Sequence, residues 1–360
     1  MAQFQVHKQA LKKNRIIAIT NGDLQPGQIR VRIQAFGFSA NNITYWAMGE
    51  RMRYWQFFPA ADNDGEQWGV IPVWGYAEVE ASKHDEVSVG ERLFGYFPTA
   101  DCLVMRPGRL SSEFLFDASE HRQTLPAGYN RYQRLSSGQT NDQQEALNML
   151  LFPLHITSFC LFDTLVNEQK TEMKQLLVTS ASSKTALGLV QGFKNLEHAP
   201  YLIGLTADKN LGFVKSLGCY DQVLCYEENG DINAHHSTVI VDFSGNGKLL
   251  GQLHEKLQDH MRHTWHVGLT HWSDNDMGSG YLAERSEVFF APAYIQEKMA
   301  VWGAAEFQKR STQYLHRAAL ASRDWLVINN LSGLKALAAV FKTVADGALP
   351  AEQGLIVRLY

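Results

Sequence analysis

Short apolar runs alternate with amphipathic segments between residues 175 and 269, and this alternation limits the fold more than any other feature of the sequence. The first unit, QLLVTSASSKTALGLVQG, predicts a buried strand at Gln175–Thr179, a loop of small polar residues and a helix at Lys184–Asn195. One face of that helix is apolar, with residues at helical spacing: Ala186, Leu189, Val190 and Phe193.

The same alternation continues along the chain. It predicts further strands at Tyr201–Leu205, Asp221–Tyr226, Thr238–Phe243 and Thr264–Leu269, and a helix at Lys209–Leu217 that stops at Gly218. Strands that alternate with helices predict a parallel, doubly wound sheet, which binds its ligand at the carboxyl ends of the strands. The candidate ligand positions on this ground are the loop at Ser180, Thr206, Tyr226, Phe243 with Ser244 and Gly245, and Gly268 with Leu269 and Thr270.

The loop between the first strand and its helix suits a phosphate group. The first N–H groups of a helix are free and carry the positive end of its dipole. Hydroxyl donors and one positive charge surround this position: Ser180, Ser182, Ser183, Thr185 and Lys184. An ordinary capped helix after a buried strand explains the same residues, and on this stretch alone both interpretations stand.

Charge and composition exclude several classes of protein. The net charge of −4 gives no electrostatic basis for binding nucleic acid. The sequence has no uninterrupted run of about 18 apolar residues, so we expect no membrane span. The N-terminus lacks the apolar region of a secretory signal. The 4 cysteines are scattered, which argues against a disulfide framework or structural zinc site and favours a cytoplasmic location.

An aromatic segment, ERMRYWQFFPA at 50–60, interrupts the β-like pattern of the N-terminal region. It is either a surface turn packed on the domain or an apolar cover over a substrate pocket, and composition does not separate the two. The side chains that would line such a pocket are Tyr54, Trp55, Phe57 and Phe58.

Several motifs resemble the medium-chain dehydrogenase/reductase superfamily, near its zinc-independent quinone oxidoreductases and enoyl reductases. LQPGQIRVRIQAFGFSANNITYWAMGE resembles the opening strand pair and active-site loop of that superfamily, and VSVGERLFGYFPTADCLVMRP resembles its "VGDRV" strand. The segments YWQFFPA and SASSKTA resemble an uncharacterised bacterial family within it.

The resemblance implies an α/β protein with two domains. A GroES-like, β-rich catalytic domain would occupy residues 1–140 and be completed by 310–360, which ends in the return segment GALPAEQGLIVRLY. A Rossmann-type NADP-binding domain would occupy residues 141–309. Relatives commonly pair through the edge of the coenzyme-domain sheet, which implies a homodimer.

The resemblance also assigns roles to individual residues. Thr157 and Gly268–Thr270 would border the nicotinamide, Ser180–Thr185 would hold the diphosphate, and Thr206 with Lys209 would border the adenosine ribose. Asn41, Asn42 and Tyr45 match the active-site loop, where zinc-dependent relatives carry a cysteine ligand.

Two departures from the superfamily pattern affect these expectations. The diphosphate loop is poor in glycine, so the backbone has less freedom to approach a pyrophosphate, and Lys184 would supply a charge-assisted bond instead. No cysteine lies in the active-site loop, and no dispersed Cys, His and Glu trio fits a catalytic zinc.

The histidines between 254 and 271 cross a helix and a strand, so we interpret them as core or solvated residues and not as a metal site.

Cofactor choice follows from charge at the end of the second strand. NAD-selective sites place an acidic residue there, whereas this strand ends in Gly204-Leu205-Thr206 and is followed by Lys209, which favours NADP. Asp208 is the alternative acid, but we interpret it as the cap of the helix that begins at Lys209.

The expected function is reduction of a small activated alkene, quinone or carbonyl by NADPH, without zinc, in a cleft between the domains. The carbonyl oxygen would then be polarised by hydrogen bonds. Tyr45 is the first candidate proton donor and Tyr132 the second, although either can simply fill space as an aromatic residue. The alternative is a cofactor-degenerate member of the same fold that acts as a binding or sensory module.

Overall fold

The computed structural model describes residues 1–20, 22–63, 65–136, 141–168, 172–194, 196–267 and 280–360. The chain divides into two compact units, Met1–Leu150 with Val327–Tyr360, and Leu151–Leu326. The chain therefore returns to the first unit at residue 327, whereas residue 310 lies within helix Ala304–Ser322 of the second unit.

The strands and helices are numbered in chain order. The strands are β1 Ala2–His7, β2 Ala10–Ala18, β3 Ile29–Phe38, β4 Trp68–Gly69, β5 Pro72–Ser82, β6 Arg92–Pro98, β7 Cys102–Met105, β8 Pro107–Leu110, β9 Phe114–Asp117, β10 Arg131–Leu135, β11 Gln175–Val178, β12 Tyr201–Thr206, β13 Gln222–Cys225, β14 Thr238–Asp242, β15 Met261–His266, β16 Ser286–Val288, β17 Val327–Ser332 and β18 Gln353–Arg358. The α-helices are α1 Ala40–Ala47, α2 Asp142–Asp163, α3 Lys184–Phe193, α4 Asp208–Ser216, α5 Gly247–Leu257, α6 Ala291–Trp302, α7 Ala304–Ser322 and α8 Gly333–Ala345.

The first unit is β-rich, as the resemblance implies. Its main sheet has the order β17-β18-β3-β5-β6-β10-β9-β8, with β7 also paired to β3, and a smaller sheet has the order β2-β1-β4. Alternate residues of β3 (Ile29, Val31 and Ile33) point into the core because successive side chains of a strand face opposite ways. Strand β18 pairs antiparallel with β3, so the C-terminal segment completes the N-terminal sheet.

Three short strands of this unit lie where the residue types are typical of loops. Residues 107–140 contain Pro107, Gly108 and Pro126, which favour turns, yet strands β8, β9 and β10 lie there. These strands have only 4 or 5 residues, and β8 pairs irregularly with β9 between Pro107 and Leu110. Such short, irregular strands tolerate turn residues at their starts.

The second unit is the doubly wound domain that the sequence predicts. Its strands are parallel and have the order β13-β12-β11-β14-β15-β16, which is the 3-2-1-4-5-6 order of dinucleotide-binding folds. Four of the five predicted strands are confirmed with shifts of one residue at their ends. The fifth, predicted at Thr264–Leu269, begins and ends three residues earlier, at Met261–His266, and Gly268 and Leu269 lie outside the described residues. The sequence pattern does not predict the short and polar β16. Gly218 follows α4 with a φ of 57°, as the predicted helix stop requires.

The predicted capping role of Asp208 is wrong. Helix α4 begins at Asp208 itself, and Ala207 is the residue before it, without a side-chain cap. The carboxylate of Asp208 instead accepts a hydrogen bond from the thiol of Cys225, with 3.7 Å between Oδ1 and Sγ.

Helix α2 bears on the expectation that nothing spans a membrane. By length and composition, Asp142–Asn167 is able to cross a bilayer, although no long run of uninterrupted apolar residues occurs in it. In the described part of the chain 67% of its apolar window is buried, as in the core helix of a globular domain.

Candidate functional site

The loop after β11 turns tightly through a residue with left-handed backbone conformation. Ser180 has a φ of 45°, the left-handed conformation that favours glycine. The amide of Ala181 donates to the carbonyl of Leu205 at 3.0 Å, and the amide of Ser183 donates to the carbonyl of Ser180 at 2.8 Å. The loop is therefore tightly turned and tied to the second strand.

The next residues begin helix α3 directly at this loop. Ser183 is the N-cap, and its hydroxyl accepts a hydrogen bond from the amide of Ala186 at 3.2 Å. Lys184 and Thr185 form the first helical positions, so their charge and hydroxyl lie at the positive end of the helix dipole. The capped-helix and phosphate-loop interpretations are therefore compatible, because one residue caps the helix while its neighbours remain at the site.

Ser182 links the loop to the end of β12. Its hydroxyl accepts hydrogen bonds from the side-chain amide of Asn210 at 3.0 Å and from the hydroxyl of Thr206 at 3.4 Å. Thr206 is buried, whereas Lys209 lies exposed on the first turn of α4. The predicted loop and ribose positions are thus brought together at one edge of the sheet.

A buried carboxylate joins the ends of β11 and β14, the two strands between which the strand order reverses. Asp242 Oδ1 accepts hydrogen bonds from the hydroxyl of Thr179 at 2.6 Å and from the amide and hydroxyl of Ser244 at 2.9 and 2.7 Å. Its Oδ2 accepts one from the amide of Gly245 at 3.2 Å. Burial raises the pKa of this carboxyl, but the hydrogen bonds from His266, Thr179 and Ser244 outweigh burial and hold the pKa below its ordinary value.

The predicted positions Phe243 and Ser244 belong to this same arrangement. The amides of both residues donate to the hydroxyl of Thr179, at 3.0 and 3.2 Å. The side chain of Ser244 is turned to Asp242. These residues shape the crevice by connecting two strand ends.

The buried histidines extend the network away from Asp242. His266 Nδ1 lies 3.5 Å from Asp242 Oδ2, and its Nε2 shares a hydrogen bond of 2.8 Å with the hydroxyl of Tyr281. The ring of His254 stacks on Tyr281 at 4.9 Å, and burial lowers its pKa to about 4. No group of three or more His, Cys, Asp or Glu side chains with metal-binding geometry occurs among the described residues.

The remaining predicted cofactor residues lie in different parts of the chain. Thr157 lies in α2, and its hydroxyl donates to the carbonyl of Pro153, one turn earlier, at 3.4 Å. Asn42 lies in the first unit, where its amide accepts from the backbone of Ser39 and donates to the carbonyl of Pro72. Gly268, Leu269 and Thr270 lie outside the described residues.

The first unit contains a cluster of aromatic side chains around Tyr45. The rings of Tyr54 and Tyr96 lie 4.7 and 5.6 Å from that of Tyr45, and the hydroxyls of Tyr54 and Tyr129 are 3.2 Å apart. Burial, with a smaller contribution from Tyr54, raises the pKa of Tyr45 well above its ordinary value. The phenol is therefore a hydrogen-bond donor at neutral pH.

Three of the four predicted pocket residues join this cluster. Phe57 and Phe58 lie 5.3 and 5.9 Å from Tyr96, and Tyr54 contacts Tyr45. Trp55 instead packs in the hydrophobic core, between the backbones of Gly49 and Gly69. The segment thus contributes three side chains to the aromatic cluster around Tyr45 and one, Trp55, to the hydrophobic core.

Tyr132 has a different environment from Tyr45. It is fully buried, and its hydroxyl donates to the carbonyl of Tyr96 at 2.5 Å and accepts from Arg122 at 2.8 Å. Arg122 is itself buried and paired with Asp117 at 2.9 Å. Since the hydroxyl is occupied on both sides, this geometry gives Tyr132 a structural role in the described fold.

Several residues at the edge of the sheet are not predicted as ligand positions by the sequence pattern. Thr179 and Asp242 lie within predicted strands, and Asn210, His266 and Tyr281 are not among the predicted ligand positions. The available signal was a buried β-branched strand, TVIVD, that ends in a carboxylate, because such a group must find partners.

Together, the β-rich unit and the 3-2-1-4-5-6 sheet define the two-domain fold of the medium-chain dehydrogenase/reductase superfamily, which confirms the fold that the sequence resemblance implied. The model of the family described as "Protein of unknown function (DUF2855)" matches residues 36–350, and the chain belongs to this family. No curated protein matches the chain by sequence.

Solved structures of similar fold cover nearly the whole chain. CurA from Vibrio vulnificus in complex with NADPH has a TM-score of 0.65 and 14% identity, covering 100% of this chain and 99% of that protein. Quinone oxidoreductase from Escherichia coli complexed with NADPH has a TM-score of 0.61 and 13% identity, with 100% of both chains covered. A putative NADPH:quinone reductase from Bacillus thuringiensis has a TM-score of 0.62 and 13% identity, with 100% and 99% covered. At these identities the likeness establishes the fold.

Proposed function

We propose that this protein is an NADPH-dependent, zinc-independent oxidoreductase that reduces a small activated alkene, quinone or carbonyl compound. The observation that carries the proposal is the edge of the second unit's sheet, where a left-handed serine, a helix N-terminus and Lys184 meet next to the reversal of strand order. The similar structures that contain NADPH support the same cofactor.

The residues present fit a dinucleotide. Ser180 has the glycine-like conformation that lets the loop turn under a diphosphate, and Lys184 with the N-terminus of α3 would balance its charge. Lys209 would bind a 2′-phosphate from the first turn of α4. When bound, the cofactor would supply the hydride.

The chain itself would supply the hydrogen bond to the substrate. We assign this role to Tyr45, whose phenol is protonated at neutral pH and lies within the aromatic cluster, beside Tyr54 and Tyr96. We exclude Tyr132 from this chemistry because both sides of its hydroxyl are occupied. The same proposal includes a cytoplasmic location, on the scattered cysteines, and a homodimer, on the superfamily resemblance.

Binding of NADPH and NADH to the purified protein, followed by nicotinamide fluorescence, tests the proposal. We expect NADPH to bind more tightly, and Lys209→Ala to lower the ratio of the two affinities about tenfold, because a charge-assisted bond to phosphate is lost. Lys215→Ala is the matched control, since Lys215 is an exposed lysine in the last turn of the same helix. If neither cofactor bound at millimolar concentration, the proposal that this protein is an NADPH-dependent enzyme would be refuted.

Turnover tests the role of Tyr45 and the independence of the reaction from zinc. Tyr45→Phe should lower kcat about 100-fold with small molecules such as benzoquinones or enones, while cofactor affinity stays unchanged. A chelator should leave the activity intact. Loss of activity on chelation, restored by zinc, would contradict the zinc-independent mechanism.

One observation favours the alternative, a cofactor-degenerate binding module. The hydroxyl of Ser182 is engaged by Thr206 and Asn210, and the amide of Ser180 is engaged by Tyr226, so these groups of the loop already have partners within the protein. The binding titration distinguishes this alternative from the enzyme.

A further inference from the structure

Tyr226 makes an unusual contact for a residue at the end of an outer strand. It directly follows β13, yet its hydroxyl reaches the loop after β11. The amide of Ser180 donates to this hydroxyl at 3.2 Å, and the hydroxyls of Ser180 and Tyr226 are also 3.2 Å apart. Strand β12 lies between β13 and β11, so the tyrosine ring lies across the carboxyl end of β12.

This position coincides with the part of the crevice that a dinucleotide would need. In a doubly wound sheet the diphosphate lies at the loop after the first strand, and the adenosine ribose lies at the end of the second. The amides of Ala181 and Ser183 are already bonded to backbone carbonyls, whereas that of Ser180 is bonded to a side chain that is able to rotate away.

The backbone conformation of Ser180 independently indicates a ligand-binding position in this loop. It adopts a φ of 45°, and backbone strain in residues other than glycine concentrates at ligand clamps and switch regions. A glycine would adopt this conformation more easily but would lack the hydroxyl that contacts Tyr226. The serine thus supplies a second point of attachment for the tyrosine.

We propose that Tyr226 is a gate that occupies the adenosine half of the crevice, holds the amide of Ser180, and must swing away before a dinucleotide binds. This inference rests on the proposed function. The gate lowers affinity for NADPH and NADH alike, because the contact that must break involves the diphosphate loop and not the 2′-phosphate position. It also explains how a loop satisfied by its own residues remains able to bind a ligand.

Tyr226→Phe tests the gate, because it removes both hydrogen bonds and keeps the ring. Loss of two neutral hydrogen bonds from the closed state should tighten both cofactors about fivefold to tenfold in fluorescence titrations. Tyr220→Phe is the matched control. Its hydroxyl donates to the carbonyl of Ala181 at 3.1 Å, so it contacts the same loop without holding the amide of Ser180. We expect its affinities to stay within about twofold of the wild type.

Weaker binding by Tyr226→Phe would overturn the gate and make the phenol a ligand of the cofactor. Unchanged affinity would overturn it as well. In both cases the wild type still binds NADPH, so the proposed function survives, whereas absence of binding to wild type and variant alike refutes the function and the gate with it.

A double-mutant cycle, measured with and without cofactor, checks the contact itself. In a double-mutant cycle of Ser180→Ala and Tyr226→Phe, the shifts in melting temperature should be non-additive in the free protein and additive at saturating NADPH. Additive shifts in the free protein would mean that the two side chains do not hold each other, and the gate would be refuted.

Discussion

Asp242 should be the side chain on which the edge of the coenzyme sheet depends most. The change Asp242→Asn keeps the size of the residue and the oxygen that accepts from Thr179 and Ser244. It removes the charge from these three hydrogen bonds and places an N–H group against the amide of Gly245, 3.2 Å from the oxygen it replaces. Charged hydrogen bonds exceed neutral ones by about 1 kcal/mol each, and one lost bond adds about 1 kcal/mol, so the free energy of unfolding should fall by about 4 kcal/mol.

The pH dependence of this loss is specific to the carboxylate. Because the folded pKa of Asp242 is depressed, its charge stabilises the protein above the pKa of the unfolded state, about 3.9. That stabilisation is lost as the pH falls through the lower, folded pKa. The difference between wild type and Asp242→Asn should therefore be largest near pH 7 and shrink below about pH 4.

Urea unfolding followed by circular dichroism at about pH 7 and about pH 3.5 measures both quantities. Asp221→Asn is the matched control in the same sheet. Its exposed carboxylate accepts one hydrogen bond, from the amide of Leu202 at 2.7 Å, and its loss should cost less than about 1 kcal/mol. A loss below 1 kcal/mol for Asp242→Asn, or one equal at both pH values, would refute the reasoning.

Two further predictions concern the backbone. Gln258 is exposed at the end of α5 with φ 44° and ψ −123°, so Gln258→Gly should relieve strain and raise the melting temperature by a few degrees in thermal unfolding; a lower value would contradict it. A Cβ at Gly69 would lie 2.4 Å from the ring of Trp55, so Gly69→Ala should destabilise the protein by about 1–3 kcal/mol in urea unfolding. Gly128→Ala, where nothing lies within 4 Å, should have almost no effect, and equal losses for the two variants would mean that the contact with Trp55 is unimportant.

Much of the second unit could be predicted because local sequence patterns identify its strands and helices. Strands β11, β12 and β14 are mostly buried apolar runs, α3 starts at the N-cap Ser183 and Gly218 follows α4, so the alternation alone predicts a parallel sheet. Strand β16 escaped prediction because SEV is short and polar and is defined only by its pairing with β15. Strands β8, β9 and β10 are also short, and Pro107, Gly108 and Pro126 give that region the composition of a loop.

The candidate site could be placed from the sequence but not resolved into roles. The order of motifs places Ser180, Thr206 and Lys209 at one edge of the sheet. It does not reveal that Tyr226 reaches Ser180 from two strands away, or that Tyr132 is occupied by Arg122. Hydrogen bonds between residues far apart in sequence depend on tertiary packing, which local patterns do not encode.

The scarcity of glycine in the loop after β11 is accommodated by the strand beside it. Ala181 carries a Cβ where the backbone of β12 comes close, and the facing residue of β12 is Gly204. A Cβ on Gly204 would lie 2.9 Å from that of Ala181 and 3.1 Å from the ring of Tyr220, so the free space of a glycine is supplied by the strand and not by the loop. With Ser180 held in a left-handed conformation, the loop keeps the shape of a glycine-rich turn without its glycines. What a serine-rich loop adds is hydroxyls that bond to Tyr226, Thr206 and Asn210, and under the proposed gate such a loop would bind its ligand by exchanging these contacts.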